Sequence, residues 1–198
     1  MTEIQSTGWD VLDAAHVALR TTVGDLKPAD LELPTPCEQW NVVQVLQHAA
    51  GDQLAYASRI TGGPGPAENP FEPSGRLDQA ASTIVEPALL AAADAWRTVT
   101  EGEDVATPLP QGNLPAWLGA GACALDAAVH AWDVATATGQ PSPLTNDLAR
   151  ELMTVAQHIV EPLRAYGAYA AALEVTDGSD DDVARLLRYL GRRPDWSL

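Results

Sequence analysis

The chain has 198 residues, 46% of them hydrophobic, enough for one generous domain or a domain with a small appendage, and it carries a formal net charge of −16. A surface that acidic repels nucleic acid and anionic membranes, and no stretch is long and apolar enough to span a bilayer: the Ala-rich run from Thr83 to Trp96 is interrupted by Glu86 and Asp94. The polar, acidic N-terminus lacks the basic and apolar regions of a signal peptide, and Cys37 and Cys123 are too few for a disulfide framework, so we expect a cytoplasmic protein with both thiols reduced and unjoined.

Apolar positions Leu12, Ala15, Leu19, Val23 and Leu26 recur at helical steps and predict a first helix over 9–26, with His16 hydrogen-bonded at the core edge. Lys27-Pro28 ends it, and 31–38 (LELPTPCE) reads as a Pro-punctuated loop. A second helix is expected from Asn41, which forms a capping box with Gln44 and has Trp40 before it as a hydrophobic staple. Val42, Val45, Leu46 and Ala49 carry its core face; His48 falls at the margin of that face and Asp52 one turn further along. The Gly/Pro-dense stretch 61–75 is a long connection. A third helix is predicted over 77–100, burying Leu77, Ile84, Leu89 and Trp96 and kinked at Pro87; a second Pro/Gly loop follows over 101–113.

The stretch 114–139 reads as a buried helix with Pro115 at its first position and a glycine stop. One stripe is apolar: Leu118, Ala122, Leu125, Val129, Trp132. The stripe beside it runs Gly119, Cys123, Asp126, His130, Asp133, Ala137, which sets Asp126 and His130 one turn apart at a buried margin. Charge there is costly unless it is paired, hydrogen-bonded or bound to a metal. A fifth helix is predicted over 144–163 with His158 facing outward; in 167–179, AALEV reads as a short strand or an extended tail. A short helix over 180–190, opened by acids and closed by Gly191 and two arginines, ends the chain. With no repeat and no alternating β pattern, the expectation is an all-α four-helix bundle with a C-terminal extension, divided as 1–165 and 166–198.

His48 on one helix and Asp126 with His130 on another supply two imidazoles and one carboxylate, a donor set that leaves a position open for water or substrate. Asp133, and with weaker support Asp52, are candidates for orienting a ligand imidazole, although either could instead face solvent or serve a local network. Cys123 shares the acid's stripe but suits a small buried hydrophobe, and Cys37 suits packing, since no cation lies beside it in sequence.

Three segments, TPCEQWNVVQVLQHAAG at 35–51, LDAAVHAWDVATATGQP at 125–141 and DDVARLLRYLGRRPDW at 181–196, resemble the DinB/YfiT-like superfamily, and within it the mycothiol-dependent maleylpyruvate isomerase-like group of actinobacteria. The resemblance implies a DinB-type four-helix bundle holding one divalent cation on His48, Asp126 and His130, with zinc expected first and nickel or iron as alternatives. It implies a Glu where Asp126 stands, and a larger C-terminal domain of which the roughly thirty residues here are a remnant. The implied function is isomerisation or S-transfer on a small electrophile with mycothiol or a similar thiol as cosubstrate. A non-catalytic metal-binding bundle and a ferrous facial triad are the competing readings. A homodimer, paired through exposed helix faces, is the candidate assembly.

Overall fold

The computed structural model describes residues 6–174 and 180–198, which form six helices and one small hairpin. The helices are α1 (Asp10–Gly24), α2 (Val42–Thr61), α3 (Ser82–Trp96), α4 (Ala116–Ala137), α5 (Asn146–Arg164) and α6 (Asp182–Tyr189). Four of them close a ring in which α1 packs on α4, α4 on α2, α2 on α3 and α3 back on α1; α5 lies against α4 and α1, and α6 against α5. This is the all-α, DinB-like bundle that the periodicity and the resemblance predict. No helix among the described residues is long and apolar enough to cross a membrane.

α4 organises the packing. It is apolar nearly all round and is buried nearly all round: Leu118, Leu125, Val129 and Trp132 are in the core, and so are Cys123, His130, Asp133 and Ala137 of the second stripe. Its entry differs from expectation, because Pro115 is the N-cap, in extended conformation, and the first helical residue is Ala116. The cause is a pairing invisible to pattern reading. Residues 104–106 (β1, Asp104–Ala106) and 113–115 (β2, Asn113–Pro115) form an antiparallel hairpin with Val105 opposite Leu114, so the loop predicted over 101–113 delivers Pro115 in a strand.

α2 begins as its sequence dictates: the Asn41 side chain accepts from the Gln44 amide, the Gln44 side chain accepts from the Asn41 amide, and Gly62 closes the helix at φ 71°. The loop before it is more ordered than expected, opening with a 3-10 turn at Pro28–Glu32. α3 starts at Ser82, five residues later than predicted, and stops at Trp96; Leu77 and Ile84 are only partly buried. The chain ahead of α3 is tied to α2 instead, because the Gln44 side chain donates to Pro73 O and that of Gln47 to Arg76 O. α3 runs through Pro87 without ending. In the tail, residues 171–174 are neither helix nor strand, while Val175 of the AALEV reading lies outside the described residues. The Leu173 amide donates to Arg188 O, and Leu186, Leu187 and Leu190 join the main buried cluster.

Candidate metal centre

Two local structures aim His48. The Thr35 hydroxyl donates to Trp40 O (2.8 Å) and accepts from the Cys37 amide (3.1 Å), which folds the TPCEQW turn and lays the Trp40 ring 4.6 Å from the imidazole. On the other side, Gly51 lets Pro70 approach so closely that a Cβ at Gly51 would sit 2.9 Å from Pro70 Cγ. That approach puts Pro70 O 2.9 Å from His48 Nδ1, and the next residue, Phe71, meets the ring edge-on at 5.3 Å. A carbonyl can only accept, so His48 carries its proton on Nδ1 and turns Nε2 inward.

His130, one turn after Asp126 on α4, is fixed in the same way. Its Nδ1 lies 2.9 Å from Asp133 Oδ2, and Asp133 in turn accepts from Arg192 Nε and Nη2, both at 2.8 Å. Asp133 is fully buried; burial opposes its charge, but Arg192 and then His130 hold the carboxyl below the usual range. As an ionised acceptor it takes the Nδ1 proton of His130, so this ring also turns Nε2 inward.

The two Nε2 atoms converge on one oxygen, Asp126 Oδ1, at 3.1 Å from His48 and 3.4 Å from His130. The other oxygen, Asp126 Oδ2, is buried with no hydrogen-bond partner among the described residues. Two neutral imidazoles would present lone pairs to a carboxylate, an arrangement that needs a proton or a cation between them. The ligand atoms of His48, Asp126 and His130 all lie within 4.8 Å of one another, and this group could hold a metal ion. Spacings near 3.3 Å are those of neighbouring ligands about 2.0–2.1 Å from a shared tetrahedral centre, so the donor set fits a zinc-like cation. Without one, burial lowers the His130 pKa, but Asp126 and Asp133 outweigh it and raise it to about 9. Burial likewise opposes ionisation of Asp126, but His130 and His48 drive its carboxyl well below the ordinary range.

The remaining candidates divide. Asp133 is engaged with His130, whereas all four ring nitrogens of the two histidines face groups other than Asp52. Asp52 is half-buried, and burial followed by the charge of Asp126 pushes its carboxyl well up, against the pull of His130. Cys123 lies outside the ligand group: its thiol donates to Gln53 Oε1 (3.2 Å), and burial pushes its pKa well up. Gln53 also accepts from His16 Nε2 at 2.8 Å, the hydrogen bond expected for that histidine. Cys37 and Cys123 are both free. Around Cys37 the structure corrects the expectation of no nearby cation: Arg192 is close enough to act on it, yet burial and then Asp133 dominate and push the thiol up to about 11. His158 is exposed, as expected, and stands edge-on to Trp117. Sequence reasoning missed Arg192, Pro70 and Phe71. Only the first had a signal, since a buried Asp133 in a chain with 11 basic residues demands one of them.

Residues 12–135 match the family model described as the mycothiol maleylpyruvate isomerase N-terminal domain. Two uncharacterised proteins of Mycobacterium tuberculosis, from strains CDC 1551 / Oshkosh and H37Rv, are each 28% identical over 148 residues, covering 75% of this chain and 76% of theirs. No solved structure matches the chain.

Proposed function

This chain belongs to the mycothiol maleylpyruvate isomerase N-terminal domain family, and we propose that it is a divalent-metal-dependent enzyme that acts with a mycothiol-type thiol on a small electrophile, by isomerisation, which returns the thiol, or by S-transfer, which consumes it. The observation that carries the reading is the convergence of two inward Nε2 atoms on Asp126 Oδ1, next to an Oδ2 that has no partner among the described residues. His48, Asp126 and His130 would hold the cation, zinc first among the candidates. When bound, the cation supplies Lewis acidity that favours thiolate over thiol at neutral pH.

The chain's own groups do the rest. Pro70 O and Asp133 accept the two Nδ1 protons and hold both rings with Nε2 towards the donor face, where an arriving cation would displace the proton that His130, its pKa raised to about 9, carries at neutral pH. Asp126 reaches both imidazoles, so the shorter acid completes the donor set without the extra methylene of Glu. Trp40 and the largely exposed ring of Phe71 flank the His48 imidazole with apolar surface that suits the carbon skeleton of an electrophile.

The test begins with elemental analysis of protein purified without a metal-affinity tag. It continues with thiol consumption and conversion of the electrophile, with mycothiol or another cellular thiol, across a panel of electrophiles that includes maleylpyruvate. The expected result is about one equivalent of zinc, nickel or iron and a turnover that His130→Ala abolishes, while Cys37→Ser keeps both. Metal-loaded protein that neither consumes thiol nor converts any electrophile faster than His130→Ala would leave the non-catalytic metal-binding reading in its place.

A further inference from the structure

The C-terminal segment reaches into the candidate metal centre through one side chain. α6 ends at Tyr189, and Gly191 then takes φ 81°, a left-handed turn that non-glycine residues resist. A Cβ at Gly191 would also sit 2.7 Å from Ala170 Cβ and 2.9 Å from Ala171 O, so the turn is wedged against the chain that leads into α6. The Arg192 amide donates back to Leu187 O at 2.8 Å, and its side chain, 11% exposed, runs inward to α4. There it meets Asp133 as a fork, with Nε on one oxygen and Nη2 on the other. Oδ2 also accepts the Nδ1 proton of His130. Asp133 is 59 residues away in sequence and wholly buried.

We propose that Arg192 is a positioning residue for the cation: it clamps the Asp133 carboxylate in one plane, so that His130 is held with Nε2 aimed at Asp126. The inference rests on the metal reading given above. A carboxylate gripped by two parallel donors can neither rotate nor change the edge it offers, and this fixes both the tautomer and the angle of the imidazole it accepts from. Lysine, a point charge on a flexible stem, holds the carboxylate nearby without fixing its plane. Because coupling between two equilibria is reciprocal, a cation on His130 must also tighten the docking of the 180–193 segment.

Two measurements on the full-length chain test this. The first is zinc affinity by chelator competition at fixed pH for wild type, Arg192→Met and Arg192→Lys, with circular dichroism of each metal-free protein. Loss of such an orienting partner costs about 10–100-fold in metal affinity; the Met variant is expected in that range and the Lys variant between it and wild type. The second is amide hydrogen exchange of 182–193 in wild type with and without zinc, which does not depend on any variant folding. Zinc is expected to slow exchange at the Arg192 amide. If wild type binds zinc while Arg192→Met binds it equally well, or while 182–193 exchanges at an unchanged rate, the positioning role is overturned and the metal reading stands. A wild type that binds no zinc, nickel or ferrous iron overturns the metal reading itself.

Discussion

Each of the three buried histidines is read by its hydrogen-bond partners, and the partners separate their roles. His48 and His130 donate from Nδ1 to a carbonyl and a carboxylate and turn Nε2 towards Asp126. His16 uses Nε2 to donate to Gln53 Oε1, and the Gln53 amide nitrogen donates to Cys123 O, so His16 belongs to a hydrogen-bond network joining α1, α2 and α4. Burial lowers the pKa of His16 from 6.5 to about 4, against the raising effect of its bond to Gln53. The folded protein therefore holds this ring neutral where the unfolded chain would protonate it. Stability from His16 is complete above pH 6.5 and is lost as pH falls from 6.5 towards 4, by at most about 1.4 kcal/mol per pH unit. Urea unfolding of chelator-treated protein at pH 7, 6 and 5 should show a steeper acid loss for wild type than for His16→Asn, which cannot titrate. Equal slopes in the two proteins would remove His16 as the cause.

At the scale of elements, two glycines in α4 set how closely its neighbours pack. A Cβ at Gly121 would lie 2.4 Å from Val155 Cγ2 of α5, and one at Gly119 would lie 2.7 Å from Val105 Cγ1 of β1. Alanine gains about 1 kcal/mol over glycine in a helix interior, but overpacking a β-branched core neighbour costs about 1–3 kcal/mol. Gly121→Ala is thus expected to lower stability by up to roughly 2 kcal/mol, seen as a lower urea midpoint with an unchanged slope; a higher midpoint would show that Val155 can move aside. The glycines also mark the limit of what the sequence discloses. α4 was legible because its apolar stripe persists for about four turns, and α2 because Asn41 and Gln44 cap it through local contacts. The hairpin was not: three-residue strands are too short for alternation to register, and the Val105–Leu114 pairing is a tertiary fact. The late start of α3 was hidden for a related reason, since Gln44 and Gln47 hold the preceding chain from 29 residues away. At the site, His48, Asp126 and His130 were readable as charges on buried faces, whereas Arg192 became assignable only once the fold carried the tail back to Asp133.

Over the whole molecule, the candidate centre joins elements that are far apart in the chain: His48 on α2, Asp126 and His130 on α4, the 62–81 connection through Pro70, and the C-terminal tail through Arg192. Unfolding scatters all of them, so a cation that binds the converged donors binds the native state far better than the unfolded chain. Such a ligand stabilises by an amount set by its free concentration over its dissociation constant, about 2.7 kcal/mol at a hundredfold excess. For a chain of this size each kcal/mol moves the melting temperature by about 2–4 °C, so saturating zinc should raise Tm by roughly 5–10 °C and a chelator should take the gain away. The net charge of −16 is a competing explanation, because any divalent cation screens self-repulsion in an acidic protein. Two controls separate the effects. Calcium at equal concentration screens as well as zinc but is a poor match to two imidazoles, and it should reproduce little of the shift. His130→Ala keeps the acidic surface while removing one donor, and its Tm should respond to zinc no more than to calcium. A zinc shift that survives in His130→Ala would assign the stabilisation to the surface charge and not to the converged site.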